Sequence, residues 1–184
     1  MAVEEDVDRI RAEALQIRRA ALISAERHFA AESPWFRMVY WLGLPAAVLS
    51  AIASAAAFTQ VFGGWLAGIV SLVVVIITTL MTVLNPQERA SKHHALAIGY
   101  EGLYRAAGFF YRIESLNPKL DAVGREQALK ALVTMQKALN DDRPPVEGKA
   151  YAAADENLKK GYGEVARDPD DRDPIEITTG QFGR

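Results

Sequence analysis

Apolar residues change their spacing along the chain, and each change marks a new kind of segment. Between Val3 and Ser24, the positions Val3, Val7, Ile10, Ala14, Ile17, Ala21 and Ser24 are apolar or small at alternating steps of four and three. That alternation is a heptad stripe on one face of a helix, and the positions between are Asp, Glu and Arg. It predicts an amphipathic helix of about 29 residues, about 43 Å long at 1.5 Å per residue. Residues 38–87 then contain no Asp, Glu, Lys or Arg. Two stretches of this run, 38–58 and 65–84, have the length and apolarity of membrane spans, since about 20 such residues cross about 30 Å of hydrocarbon. Residues 59–64 include Gln60, Gly63 and Gly64 and suit a turn between them.

The heptad stripe returns after the uncharged run. Asn85-Pro86-Gln87-Glu88 is a helix start: a cap residue, a Pro at the first helical position and a Glu three after the cap. His93, Leu96, Tyr100, Leu103, Ala107 and Phe110 form one face of a helix to about Ser115. Asn117-Pro118 is read as the start of a third helix, with Ala128, Leu132, Met135 and Leu139 on one face. Pro144-Pro145 end it, and a short last helix is expected over 151–160. From Arg167 the chain is acidic and poor in apolar residues, which predicts a flexible tail over 166–184.

The expected architecture is an all-α membrane protein. A two-span transmembrane hairpin (38–58 and 65–84, with 59–64 as its extracytoplasmic loop) is continued by an antiparallel cytoplasmic helical stalk. The stalk packs the arm within residues 1–37 against the helix that runs to about Ser115 in the helical region 85–165, burying the two heptad stripes together, with the third helix folding back on it or bridging to a neighbouring subunit. Ser33-Pro34 is read as the cap and first residue of a fresh helix for the first span, and Pro45 as a kink. Trp35, Tyr40 and Trp41 at one end, and Phe58, Phe62 and Trp65 at the other, suit the two interfaces.

Charge refines this picture. The 184 residues have a net charge of −2, 24% charged residues and a mean hydropathy of −0.00. Those averages conceal the split, because every charge lies outside residues 38–87. Arg18, Arg19, Arg27 and Arg37 precede the run, Arg89, Lys92 and Arg105 follow it, and the loop carries none. The positive-inside rule then places both termini in the cytoplasm, at the inner membrane of a cell. A cleaved signal peptide is not expected, since the first 37 residues are charged. The first arm balances six Arg against seven acids, unlike a basic helix lying on a membrane surface.

The two spans differ in character. In the first, Gly43, Ala47, Ala51 and Ala55 recur every fourth residue, a spacing that lets helices approach closely, with Ser50 and Ser54 alongside. The second is bulky and carries Ser71, Thr78 and Thr82 along one face. Two readings stand. Either the small residues pack the hairpin on itself and the hydroxyls bond back to their own helix, or several hairpins assemble with the hydroxyl faces lining a narrow pore. A pore requires a homo-oligomer, because two helices enclose no water path.

Catalytic chemistry is not expected. There is no Cys for a thiol nucleophile or a cysteine–zinc site. His93 and His94 are adjacent, so on a helix they point about 100° apart and share a metal poorly. No phosphate-binding glycine pattern is present; Gly99, Gly102 and Gly108 interrupt a helix and let another helix come close. Residues 88–119 carry only five basic against three acidic residues, which gives no nucleic-acid patch. No enzyme, cofactor or metal is expected; the lipid bilayer is the expected partner. A scaffold whose hairpin anchors a coiled-coil platform for cytosolic partners is the alternative.

The order of parts, with HHALAIGYEGL on the helix after the second span, resembles the SLATT family of two-transmembrane bacterial effectors. His94, Tyr100 and Leu103 match its His, Tyr and Leu pattern, and PPVEGKAYAAADENLKKG looks like the tail of some members. The resemblance covers roughly residues 5–162. It implies a cytoplasmic sensor stalk on a pore-forming span pair, in anti-phage systems that use nucleotide second messengers and permeabilise the membrane. No nucleotide-sensing domain is fused here, so the resemblance implies a nucleotide-synthesising or nucleotide-sensing partner protein, or sensing by the stalk itself.

Overall fold

The heptad stripe that begins the chain lies on α1, Ala2–Thr59, and the stripe after the uncharged run lies on α3, Pro86–Arg112. Between them is α2, Gly63–Leu84. A short 3-10 turn at Glu114–Leu116 leads to α4, Ala122–Asp141, and then to α5, Gly148–Lys160. This computed structural model describes residues 2–59 and 63–160. Among the described residues all regular structure is helical, as expected. Residues 60–62 of the 59–64 loop and all of the 166–184 tail lie outside the described residues.

The described chain divides into two units, one of residues up to Ala30 together with those from His94 onward, the other of Ala31–His93. In the first, Ala14, Ile17, Ala21 and Ala25 of α1 form a core with Leu96, Tyr100, Leu103, Ala107 and Phe110 of α3 and Leu132 of α4. The α3 stripe is therefore buried as its spacing predicts, and His93, in the other unit, is buried too. On α1 the stripe bends by one position, because Ala25 is buried while Ser24 is only half-buried. On α4, Leu132 is buried and Ala128 and Leu139 pack at the core's edge, whereas Met135 is exposed.

Three boundaries differ from expectation. No new helix begins at Ser33-Pro34, because α1 runs through both Pro34 and Pro45. A proline inside a helix removes one hydrogen bond and crowds the carbonyl four residues back, at a cost of about 3 kcal/mol. Here α1 has buried positions on both sides of Pro34, at Ala25, His28, Ala31 and Ala46, and that burial keeps the helix running. Second, α4 starts at Ala122, not Pro118. The Asn117 side chain accepts from the Lys119 amide at 3.0 Å and closes a turn, and Asp121 takes the cap, accepting from the Gly124 amide at 2.8 Å. Third, α5 begins three residues earlier than expected, at Gly148.

The helix start at Asn85-Pro86 is as expected. Asn85 lies in the left-handed region at φ 41°, which Asn tolerates better than most residues, and so separates α2 from α3. Its side-chain amide donates to the Glu88 carboxylate, and its carbonyl accepts from the Arg89 amide at 3.2 Å.

Candidate functional site

In the first unit, α1 and α3 run antiparallel, and the register is written by arginines on tyrosines. The Arg11 guanidinium lies over the Tyr111 ring at 4.7 Å, and Arg18 lies over Tyr104 at 4.8 Å. Each pair is one heptad from the other on both helices. One heptad further along the same register, Ala25 and Ala97 are both buried. Arg18 is only 2% exposed, and its Nη2 also donates to the Tyr104 hydroxyl at 2.7 Å. A desolvated cation over an aromatic face contributes about 2 kcal/mol, against about 0.5–1 at the surface. Arg27 repeats the motif toward α5, over Tyr151 at 4.4 Å. Sequence reasoning missed these rungs; the seven-residue separation of Arg11 from Arg18, matched by Tyr104 and Tyr111, was the available signal.

The three stalk-motif residues are only partly brought together. Tyr100 and Leu103 share the core, whereas His94 is exposed and meets the Phe29 ring edge-on at 6.2 Å. Tyr100 carries a further chain of contacts. The His28 ring stacks on it at 5.6 Å, and its hydroxyl donates to Asn140 Oδ1 at 2.8 Å, so one side chain joins α1, α3 and α4. Burial pushes the Tyr100 phenol up, with Arg143 opposing. Burial also holds the His93 imidazole below its ordinary value, against Glu32. The Glu26 carboxyl is pushed up, by burial first and by the like charge of Glu101 second.

In the second unit, Trp35 of α1 faces Arg89, with the guanidinium 4.9 Å from the ring, and Gly43 faces Met81. The partner number falls as the α1 number rises, so these segments are antiparallel neighbours. Leu42, Ala46, Leu49 and Ala53 of α1, and Ala67, Val70, Val74, Ile77, Met81 and Leu84 of α2, are the covered positions, again at steps of three and four. Of the small-residue row expected to pack the spans, Gly43 faces Met81 of α2, and Ala47, Ala51 and Ala55 are exposed. The reason is geometric. A row of every fourth residue turns by about 40° per step, so four members sweep about 120° and leave the contact face.

The candidate hydroxyls are exposed as well. Ser50 and Ser54 donate to the Ala46 and Ser50 carbonyls at 2.8 and 2.9 Å, and Thr78 and Thr82 donate to Val74 and Thr78 at 2.9 Å each. Ser71 is exposed on the same helix face as Thr78 and Thr82. At about 100° per residue, Ala47, Ser50, Ala51 and Ser54 lie about 110° around α1 from its contact with α2. Ser71, Thr78 and Thr82 lie about 95° around α2 from the same contact. Because the segments are antiparallel, these two rotations point to the same side of the pair. The opposite side carries bulk, Trp41 on α1 and Ile76, Leu80 and Val83 on α2, with Trp41 77% exposed, while the exposed Val75 interrupts the hydroxyl side between Ser71 and Thr78.

Among the described residues no group of three or more His, Asp or Glu is placed to hold a metal. No protein-family model, no curated protein and no solved structure matches the chain.

Proposed function

We propose that this chain is a two-span membrane protein that assembles into a homo-oligomer and acts as a pore-forming or membrane-disrupting effector, gated through its cytoplasmic helices. The observation that carries the reading is the two-sided pair of α1 and α2. One side carries the small and hydroxyl-bearing residues, Ala47, Ser50, Ala51 and Ser54 with Ser71, Thr78 and Thr82, interrupted by Val75; the other is bulky and apolar throughout. Both helices are long and apolar enough to cross a membrane. Bulky side chains exposed along such a length are costly in water and at no cost in lipid. Assembly that turns the small side inward leaves the bulky side on the hydrocarbon. The hydroxyl oxygens, already donating to their own helix, still accept hydrogen bonds from water.

The flanking charges support an orientation with both termini in the cytoplasm of a bacterium and the spans in its inner membrane. The SLATT resemblance supports the same reading and adds a role in anti-phage defence, triggered through a nucleotide-synthesising or nucleotide-sensing partner. Planar-bilayer recording from purified oligomer tests it. Discrete conductance steps are expected, and silence of the oligomer under every trigger applied would sink the pore.

A membrane-anchored scaffold is the second reading, favoured by one observation. Ile98 and Phe109 of α3, with Ile113 just past its end, form an exposed apolar stripe on the side away from α1, with Phe109 54% exposed. Such a stripe suits a cytosolic helix partner. A silent bilayer together with a partner lost on Phe109→Ser would favour the scaffold.

A further inference from the structure

The junction between α2 and α3 divides its charges unevenly. Glu88 is the first charged residue after the uncharged run, and its carboxylate is engaged twice, by the Asn85 amide and by Lys92 Nζ at 2.6 Å. The Lys92 hydrogen bond and charge, with the positive charge of Arg89 beside them, hold Glu88 below the usual carboxylate range. The next residue, Arg89, is exposed and is fixed in another way. Its Nε donates to the Leu84 carbonyl at 3.0 Å, and the face of its guanidinium lies over the Trp35 ring at 4.9 Å. Leu84 is the last residue of α2, so its carbonyl has no partner within that helix.

Backbone and ring together thus hold one edge and one face of the guanidinium, and the Nη edge is what remains. A planar fork fixed in this way matches two oxygens of a phosphate, whereas an ammonium offers only a point charge. Fixing the side chain beforehand also reduces the entropy lost when a ligand binds. The position selects the source of the phosphate. Arg89 is the first positive charge after the second apolar helix and stands level with Trp35, an amphipathic ring of the kind that sits among headgroups.

We propose that Arg89, held by Leu84 and Trp35, is a binding site for the phosphate of an anionic phospholipid headgroup. The site rests on the two-span reading, and the glycerophosphate of phosphatidylglycerol is the chemistry it fits. The lipid ties the break between α2 and α3 to the membrane surface, at the point where any movement of the cytoplasmic helices reaches the spans.

The test uses the full chain in neutral detergent micelles, with its unfolding midpoint followed as phosphatidylglycerol, phosphatidylcholine or inorganic phosphate is added. A rise of a few degrees with phosphatidylglycerol alone is expected, because a ligand of the folded state stabilises it by mass action. Arg89→Gln abolishes that rise, and Arg89→Lys, which keeps the charge and loses the fork, loses most of it. Arg37→Gln, at the other edge of the uncharged run, retains it. An equal rise with inorganic phosphate would overturn a lipid as the ligand. An undiminished rise in both Arg89 variants, or no rise in the parent chain, would overturn the site. Alkaline extraction of membranes separates the two claims. A parent chain released by carbonate sinks the two-span reading, whereas a retained chain with no lipid response sinks only the site.

Discussion

Gly99 of α3 faces Leu139 of α4 so closely that a Cβ at position 99 would stand 2.6 Å from Leu139 Cδ2. Three residues along the same helix, a Cβ at Gly102 would meet Met135 Cε at 3.9 Å, an ordinary contact. Alanine is favoured over glycine inside a helix by about 1 kcal/mol. Gly102→Ala is therefore expected to stabilise the chain by up to about that amount. Gly99→Ala must turn Leu139 out of its packed rotamer, which offsets the gain and leaves a net loss of about 1 kcal/mol. Denaturant melts of both variants in detergent check the contrast. Adding Leu139→Ala to Gly99→Ala should cost less than Leu139→Ala alone costs the parent.

Arg18 and Tyr104 are expected to behave as a coupled pair. Tyr104→Phe keeps the ring and removes the hydroxyl that accepts from Arg18 at 2.7 Å, for a loss of about 0.5–1.5 kcal/mol. Arg18→Lys loses the planar stack as well and should cost about 1–2 kcal/mol. A double-mutant cycle gives the interaction directly, and about 1 kcal/mol of coupling is expected. Additive effects would mean that the buried rung is only packing.

Glu26 should oppose folding at neutral pH. Its folded pKa lies above 4.5 because burial and Glu101 both disfavour the charge. A raised carboxyl favours the folded state fully below about pH 4.5, and that contribution is lost as pH rises through the folded value. Glu26→Gln should therefore be more stable than the parent at pH 7, by less than about 1 kcal/mol after solvent screening. The difference should vanish near pH 4, where both chains are neutral at position 26. Melts at the two pH values decide it.

His93 has the opposite sign. Burial holds its folded pKa below 6.5, so the neutral ring is the form that the fold accommodates. Stability is present above about pH 6.5 and is lost as pH falls toward the folded value, because the unfolded chain takes the proton first. His93→Gln, which does not titrate, should flatten the pH dependence of the unfolding midpoint below about pH 6.5. An unchanged slope would assign the acid sensitivity to another group.

The α3 stripe was legible because its burial repeats at steps of three and four, and any core-facing helix must do so. The break at Asn85 was legible because caps are local. Continuity through Pro34 was not, since the cost of a proline is local while the burial that outweighs it is spread over residues on either side. The Arg11 and Arg18 rungs were hidden for a related reason. A stripe reading counts arginine as polar, yet its long stem can lie along a packed face and place the guanidinium on a ring. Finding those pairs requires the register of two segments 86 positions apart, which no window along one helix contains.

The small face of α1 and α2 gives the last prediction. Ala47 and Ala51 are exposed within the chain, so leucine at either position fits without disturbing the contact of α1 with α2, which lies on Leu42, Ala46, Leu49 and Ala53. In lipid, where apolar surface alone gives helices no reason to associate, close approach of small residues is what brings them together. In the proposed oligomer, Ala47→Leu with Ala51→Leu should therefore leave insertion unchanged while shifting the assembly toward monomer, the unfolding midpoint falling only by the share that association supplied. Ala46→Leu should do the reverse, overpacking the pair within one chain by about 1–3 kcal/mol. Mass measurement in detergent separates the variants. A full oligomer in the double variant would place any contact between subunits on another face.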